Sequence, residues 1–268
     1  MSDETPGKGI DVMPALTAPR VEGVSLRTVE LVAGYDRSPV VHGLSIEVQP
    51  GEIVSIVGPN GSGKSTLLKA VVGILEIISG RVLLGDRDIT GWSPESIARA
   101  GVGYVPQVDD VFAPLTVREN LEMGGYLLKA REVSGRVEHV LEVFPQLRWM
   151  LTRRAGKLSG GERKMLAMGR ALMLEPPLVV LDEPTANLAP MIATSVLQEH
   201  VRQLALTGAS VLVVEQRAKA VLEISDRTYV LGGGLLRMQG TPSDLSASPE
   251  FVESFLGGRG PGTYSTSR

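Results

Sequence analysis

The sequence predicts an α/β domain with a mainly parallel sheet, a helical subdomain and a small antiparallel β region. Three observations carry this reading. Short runs of consecutive apolar residues recur along the chain, and unbroken runs suit strands covered on both faces. Stretches with helical spacing alternate with them, as expected of a parallel sheet wrapped by helices. Residues 107–158 carry helical spacing without a clear strand signal and read as a helical insertion.

Taken in order, residues 1–24 are rich in Pro, Gly and charge without periodicity, the composition of a disordered arm. The first buried strand is IVSIV at 53–57, followed by a helix over 64–73. A helix at 94–99 leads to the strand VGYV at 102–105. Within the insertion, Thr116 and Glu119 form a possible capping box, and Val137, Val140, Leu141 and Phe144 fall at helical spacing. A helix at 161–174, the strand LVVL (178–181), a helix at 190–206 and the strand VLVV (211–214) come next. A helix at 217–224 and the strand TYVL (228–231) complete the pattern. From Gly257 the tail GGRGPGTYSTSR reads as flexible, which leaves residues 25–256 as a single domain.

Of 268 residues, 43% are apolar, enough for a sizeable core. Lys plus Arg total 27 against 30 Asp plus Glu, a net charge of −3 that argues against nucleic acid as a partner. There are no cysteines, so disulfides and thiolate metal sites are excluded. The N-terminal residues lack the basic start and apolar run of a signal peptide. No apolar run reaches the roughly 18–20 residues of a membrane span. A cytoplasmic protein is expected.

Residues 58–66 read GPNGSGKST, which fits G-x-x-x-x-G-K-[ST] between a strand and a helix. Gly58, Pro59, Asn60, Gly61, Ser62 and Gly63 form a loop whose glycines let backbone N–H groups approach phosphate oxygens. The helix that follows adds partial positive charge at its N-terminus. Lys64 can reach the β- and γ-phosphates of a bound nucleotide, Ser65 can ligate Mg²⁺, and Thr66 can donate to the α-phosphate. LVVLDEP supplies a carboxylate at the C-terminal end of a strand, where ligands of open α/β sheets bind. Asp182 is placed to hold Mg²⁺ through water, and Glu183 to polarise the attacking water.

Shortly before that strand stands LSGGE. Ser159 can cap the next helix, with Gly160 and Gly161 exposing N–H groups and Glu162 completing the motif. With GPNGSGKST, LSGGE, LVVLDEP, Gln107 in YVPQ and Tyr35 in VAGYDRS, the chain resembles the ATP-binding cassette (ABC) ATPases over about residues 25–256. The resemblance implies that Tyr35 stacks on adenine and that Gln107 senses Mg²⁺ and the attacking water. It also implies that two cassettes pair head to tail. Ser159, Gly160, Gly161 and Glu162 then close on the other cassette's γ-phosphate, and MgATP hydrolysis drives closure and opening.

Two departures narrow the resemblance. The position usually held by a phosphate-sensing histidine is Gln216, and the aspartate expected after EPTANL is Ala189. An amide retains an N–H₂ donor but cannot shuttle a proton. His42, His139 and His200 have no motif around them and read as packing or surface residues. VVEQ, LAP and the short ending FVESFLGG resemble the F-type ATPase of branched-chain amino-acid importers, a pattern that urea and amide importers share. This implies two permease subunits, a second ATPase, an extracytoplasmic binding protein, and a place on the cytoplasmic face of the inner membrane reached only through the permeases. A permease helix is expected in the groove around Gln107–Asn120. Phe112 and Leu115 either line that groove or pack into the insertion's own core. Competing readings are an ATPase for another transported compound, a soluble ABC ATPase, or a regulatory nucleotide binder.

Overall fold

The computed structural model describes residues 21–108 and 110–255. The arm expected at 1–24 lies largely outside the described residues, as does the tail from Gly257. Of the arm's last residues, Val21 N–H bonds the Thr207 carbonyl at 2.8 Å and Val24 N–H bonds that of Pro177 at 3.3 Å.

The chain opens with β1 (Leu26–Tyr35), β2 (Ser38–Leu44) and β3 (Glu47–Val48), then runs through β4 (Ile53–Val57) into α1 (Lys64–Val71). Next come β5 (Ile77–Leu84), β6 (Arg87–Asp88), α2 (Pro94–Arg99) and β7 (Val102–Val105). The insertion contributes α3 (Val117–Gly124) and α4 (Ala130–Val143), and after two short 3₁₀ turns the chain enters α5 (Gly160–Leu172). β8 (Leu178–Asp182) leads to α6 (Pro190–Ser195), a π-helical turn at Val196–Val201 and α7 (Arg202–Leu206). The chain then continues through β9 (Ser210–Glu215), α8 (Ala218–Leu222), β10 (Arg227–Gly232), β11 (Leu235–Gly240), α9 (Pro242–Ala247) and α10 (Pro249–Phe255).

Two sheets result. The larger has the order β11-β10-β4-β9-β8-β7, with β10 through β7 all parallel and β11 antiparallel at one edge. The smaller is antiparallel, in the order β2-β1-β5-β6, with β3 also paired to β1. The expected parallel core and antiparallel region are both present.

The unbroken apolar runs have a direct cause. Alternate residues of a strand face opposite sides. Ile53, Val57, Val179, Leu181, Val211 and Val213 join Leu121, Val140 and Leu166 of the helical layer. Val54, Ile56, Val180, Leu212 and Val214 join Leu67 and Leu68 of α1 and Leu26 and Leu31 of the antiparallel sheet. Every position of β4, β8 and β9 is buried, so no polar alternation can appear. Each fully buried Val, Leu or Ile contributes roughly 1.5–3 kcal/mol.

The capping box that starts α3 forms as expected. Glu119 Oε2 accepts from Thr116 N–H at 2.7 Å, and Thr116 Oγ1 accepts from Glu119 N–H at 3.2 Å. Val137, Val140, Leu141 and Phe144 are all buried.

Candidate nucleotide site

The parallel register sets the site. Val57 pairs with Glu215, and Asp182 pairs with Val214. The C-terminal ends of β4, β8 and β9 therefore lie side by side, and the loops leaving them share one edge.

The loop after β4 turns on glycine. Gly63 caps α1 with φ 97°, a left-handed conformation that side-chain-bearing residues rarely adopt. A Cβ at Gly58 would meet the Leu231 carbonyl oxygen at 2.4 Å, so no larger residue fits without a shift. Gly234 N–H donates to the Ser62 carbonyl at 3.1 Å and braces the loop from behind.

Five predicted residues come together there. Lys64 Nζ donates to the carbonyls of Gly58 at 2.9 Å and Pro59 at 3.1 Å, and stands 3.6 Å from Glu183 Oε1. Ser65 Oγ donates to Asp182 Oδ1 at 2.9 Å. Gln107 Nε2 donates to Glu183 Oε2 at 2.9 Å. Burial pushes the Asp182 carboxyl above its ordinary value, opposed by the Ser65 bond and the Lys69 and Lys64 charges. Tyr104 O–H approaches Asp182 Oδ2 at 3.5 Å, a long contact, and burial followed by the Asp182 charge raises its phenol.

The oxygen donors fit a hard cation. Ser65 and Asp182 present a hydroxyl and a buried carboxylate together, and the remaining charge on Asp182 is offset only by lysines and a long phenol contact. Among the described residues no three His, Cys, Asp or Glu side chains form a metal cage. Such a sparse set suits Mg²⁺, which keeps waters and substrate phosphates among its ligands.

Other predicted residues stand apart. Tyr35 is half exposed and lines a groove of about 560 Å³ with Asp36, Arg37, Leu75 and Ile78. Gln216 is exposed and lines a separate groove with Pro190, Thr194 and Arg217, and its side chain makes no hydrogen bond among the described residues. Ser159 caps α5: its Oγ accepts from Glu162 N–H at 3.3 Å, while Glu162 Oε2 accepts from Ser159 N–H at 2.6 Å. Ser159, Gly160 and Gly161 line a groove of about 590 Å³ with Gln107, Lys164 and Leu188, which no residue of 58–66 reaches. A Cβ on Gly160 would meet Leu188 Cδ2 at 2.5 Å, so this glycine lets the 188–192 segment pack close.

Two participants escaped the sequence reading. Tyr104 stands three residues before Gln107, at the mouth of the site. Glu215, 1% exposed, accepts Thr185 N–H at 2.9 Å and Gln216 N–H at 3.2 Å. Its signal was an ionisable residue closing a fully apolar strand.

A glycine loop after a buried strand, with its lysine and hydroxyl facing two strand-end carboxylates, marks a P-loop ATPase. The chain belongs to the ABC transporter family, whose model matches residues 41–186. It is similar to a probable branched-chain amino acid transport ATP-binding protein, LivF, of Archaeoglobus fulgidus. The two are 40% identical over 232 residues, which cover 87% of this chain and 98% of the relative. The high-affinity branched-chain amino acid transport ATP-binding protein BraG of Pseudomonas aeruginosa is 41% identical, over 84% of this chain and 96% of its own. A crystal structure of an ABC transporter's ATP-binding cassette in its ADP conformation superposes with a TM-score of 0.78. It is 32% identical and covers 88% of this chain and 99% of that one. The protein is thus a nucleotide-binding, ATP-hydrolysing subunit of a transport complex. Among the described residues no helix is long and apolar enough to cross a membrane.

Proposed function

We propose that the chain powers import of branched-chain amino acids, working on the cytoplasmic face of the inner membrane with two permeases, a second ATPase and an extracytoplasmic binding protein. The cargo rests on the two branched-chain amino acid transport subunits described above, to which the chain is similar. The catalytic reading rests on one observation, the convergence of Lys64, Ser65, Gln107, Asp182 and Glu183 from three separate segments.

In this reading Gly58–Thr66 seat the triphosphate and Tyr35 stacks on the base. Lys64 exchanges its loop carbonyls for phosphate oxygens. Ser65, Gln107 and Asp182 hold Mg²⁺, which supplies charge neutralisation at the phosphates. Glu183 takes the proton of the attacking water, while Gln107 fixes the carboxylate's orientation. Gln216 donates a neutral hydrogen bond to phosphate. Ser159, Gly160, Gly161 and Glu162 complete the site of a second cassette, consistent with a groove that no residue of their own 58–66 loop lines. Residues 25–256 form the ATPase domain, with 107–158 as its helical subdomain.

A groove of about 570 Å³ between Ile97, Tyr104, Phe112, Met123, Tyr126 and Arg170 is the permease dock. Phe112 is half exposed beneath the Arg170 guanidinium, 4.5 Å from its ring centre, and serves this face. Leu115 is half-buried and does not line the groove.

Uptake of labelled leucine by cells lacking the chain, complemented with wild type or Glu183→Gln, tests the assignment. Restoration by wild type alone supports it. Leucine uptake that is indifferent to the deletion, with urea or amide uptake lost instead, overturns the cargo.

A further inference from the structure

Glu183 has φ 44°, a backbone conformation uncommon for any residue with a side chain. Such a conformation persists only where its surroundings over-determine it. The turn carrying it has few tethers. Glu183 N–H donates to the Val214 carbonyl at 3.0 Å, and Ala186 N–H closes back on the Glu183 carbonyl at 3.0 Å. Pro184 has no N–H. Thr185 supplies the one remaining amide in the turn, and it goes to Glu215 Oε1 at 2.9 Å. Thr185 is fully buried and Glu215 is 1% exposed, so water cannot replace that bond. Glu215 also pairs in register with Val57, the last residue before the glycine loop.

We propose that Glu215 is a positioning residue for ATP hydrolysis: its buried carboxylate anchors the Asp182–Ala186 turn and holds Glu183 against the cradle. This rests on Glu183 being the catalytic base. Two N–H donors converge on Glu215, from Thr185 and Gln216, and a carboxylate offers only acceptors. The Gln216 amide lies at an exposed residue, where water can serve it. The Thr185 amide cannot be served that way, so it carries the function.

The test uses the full chain and measures kcat for phosphate release and the equilibrium Kd for ATP in Glu215→Met, Glu215→Gln and Glu183→Gln. Methionine keeps the volume and removes the acceptor. A displacement of about 1 Å at a catalytic group can cost on the order of 100-fold. The expected result for Glu215→Met is a kcat lower by roughly 10–100-fold, with Kd for ATP little changed. Glutamine keeps one acceptor oxygen for Thr185 and is expected to restore kcat to within severalfold of wild type. If the methionine variant does not fold, Glu215→Asp carries the same prediction, because its carboxylate keeps the charge but is withdrawn by roughly 1.5 Å. The proposal is overturned if the acceptor-free or shortened variant turns over at the wild-type rate, if kcat and ATP binding collapse together, or if glutamine is as slow as methionine. Glu183→Gln separates the two levels. Full activity there removes the base assignment itself, whereas an inactive Glu183→Gln beside a fully active Glu215→Met removes only the positioning role.

Discussion

Replacing Glu183 with glutamine changes one atom's chemistry and almost nothing else. The side chain is largely buried, accepts from Gln107 Nε2 at 2.9 Å and stands 3.6 Å from Lys64 Nζ. A glutamine of the same shape still offers an oxygen to Gln107. Lys64 keeps its bonds to the Gly58 and Pro59 carbonyls, so the cradle stays assembled. What disappears is the proton acceptor. A positioned general base contributes about 10²–10⁴-fold, which at about 1.36 kcal/mol per decade is roughly 2.7–5.4 kcal/mol of barrier. Phosphate release at saturating ATP is therefore expected to fall by that factor, while equilibrium ATP binding stays near wild type. Wild-type turnover in the variant refutes the assignment of the base. Loss of ATP binding in step with turnover refutes the claim that the carboxylate acts in chemistry rather than assembly.

Three further outcomes follow from the same geometry. Lys64→Ala removes the ammonium that faces the phosphates and is expected to weaken ATP binding and to cut turnover by about 10²–10³-fold, read by binding titration and phosphate release. Ser159→Arg places bulk and charge at a groove that residues 58–66 do not line. In a mixed dimer with a tagged wild-type copy, hydrolysis is expected to fail at the wild-type copy's nucleotide and not at the mutant's own. His200 is buried edge-on against Phe144, and burial lowers its pKa below 6.5 despite Glu199 and Gln203. Above pH 6.5 both folded and unfolded chains hold it neutral. As pH falls below that value the unfolded chain binds a proton that the folded chain resists, so stability drops by up to about 1.4 kcal/mol per pH unit. His200→Gln is expected to flatten this dependence in urea melts between pH 7.5 and 5.5 without moving the pH–rate profile of ATP hydrolysis.

The parallel core was legible because covered strands cannot alternate: IVSIV and LVVL read as they fold. The antiparallel sheet was foreseen as a region but its strands were not located. β1 mixes buried and exposed positions and is broken by register shifts around Val32, with Glu30 at φ 47°. β5 carries Gly80 at φ 89° in its middle, which hides its period. The sequence pattern placed one continuous helix over 190–206. Its π-helical turn at Val196–Val201 left no trace in spacing, since local hydrogen-bond slippage changes no residue type. At the site, glycine spacing and strand-end carboxylates announced Lys64, Ser65, Asp182 and Glu183. Glu215 and Tyr104 stayed hidden because their contacts depend on which strands are neighbours, a property of register that a single sequence does not print.

The most direct test is the structure of Glu183→Gln crystallised with MgATP. The account predicts triphosphate seated on Gly58–Thr66, Lys64 turned from its loop carbonyls to phosphate, and Ser159 of the partner subunit against the γ-phosphate. Triphosphate bound elsewhere, or sealed on Gly58–Thr66 without a second molecule, contradicts it.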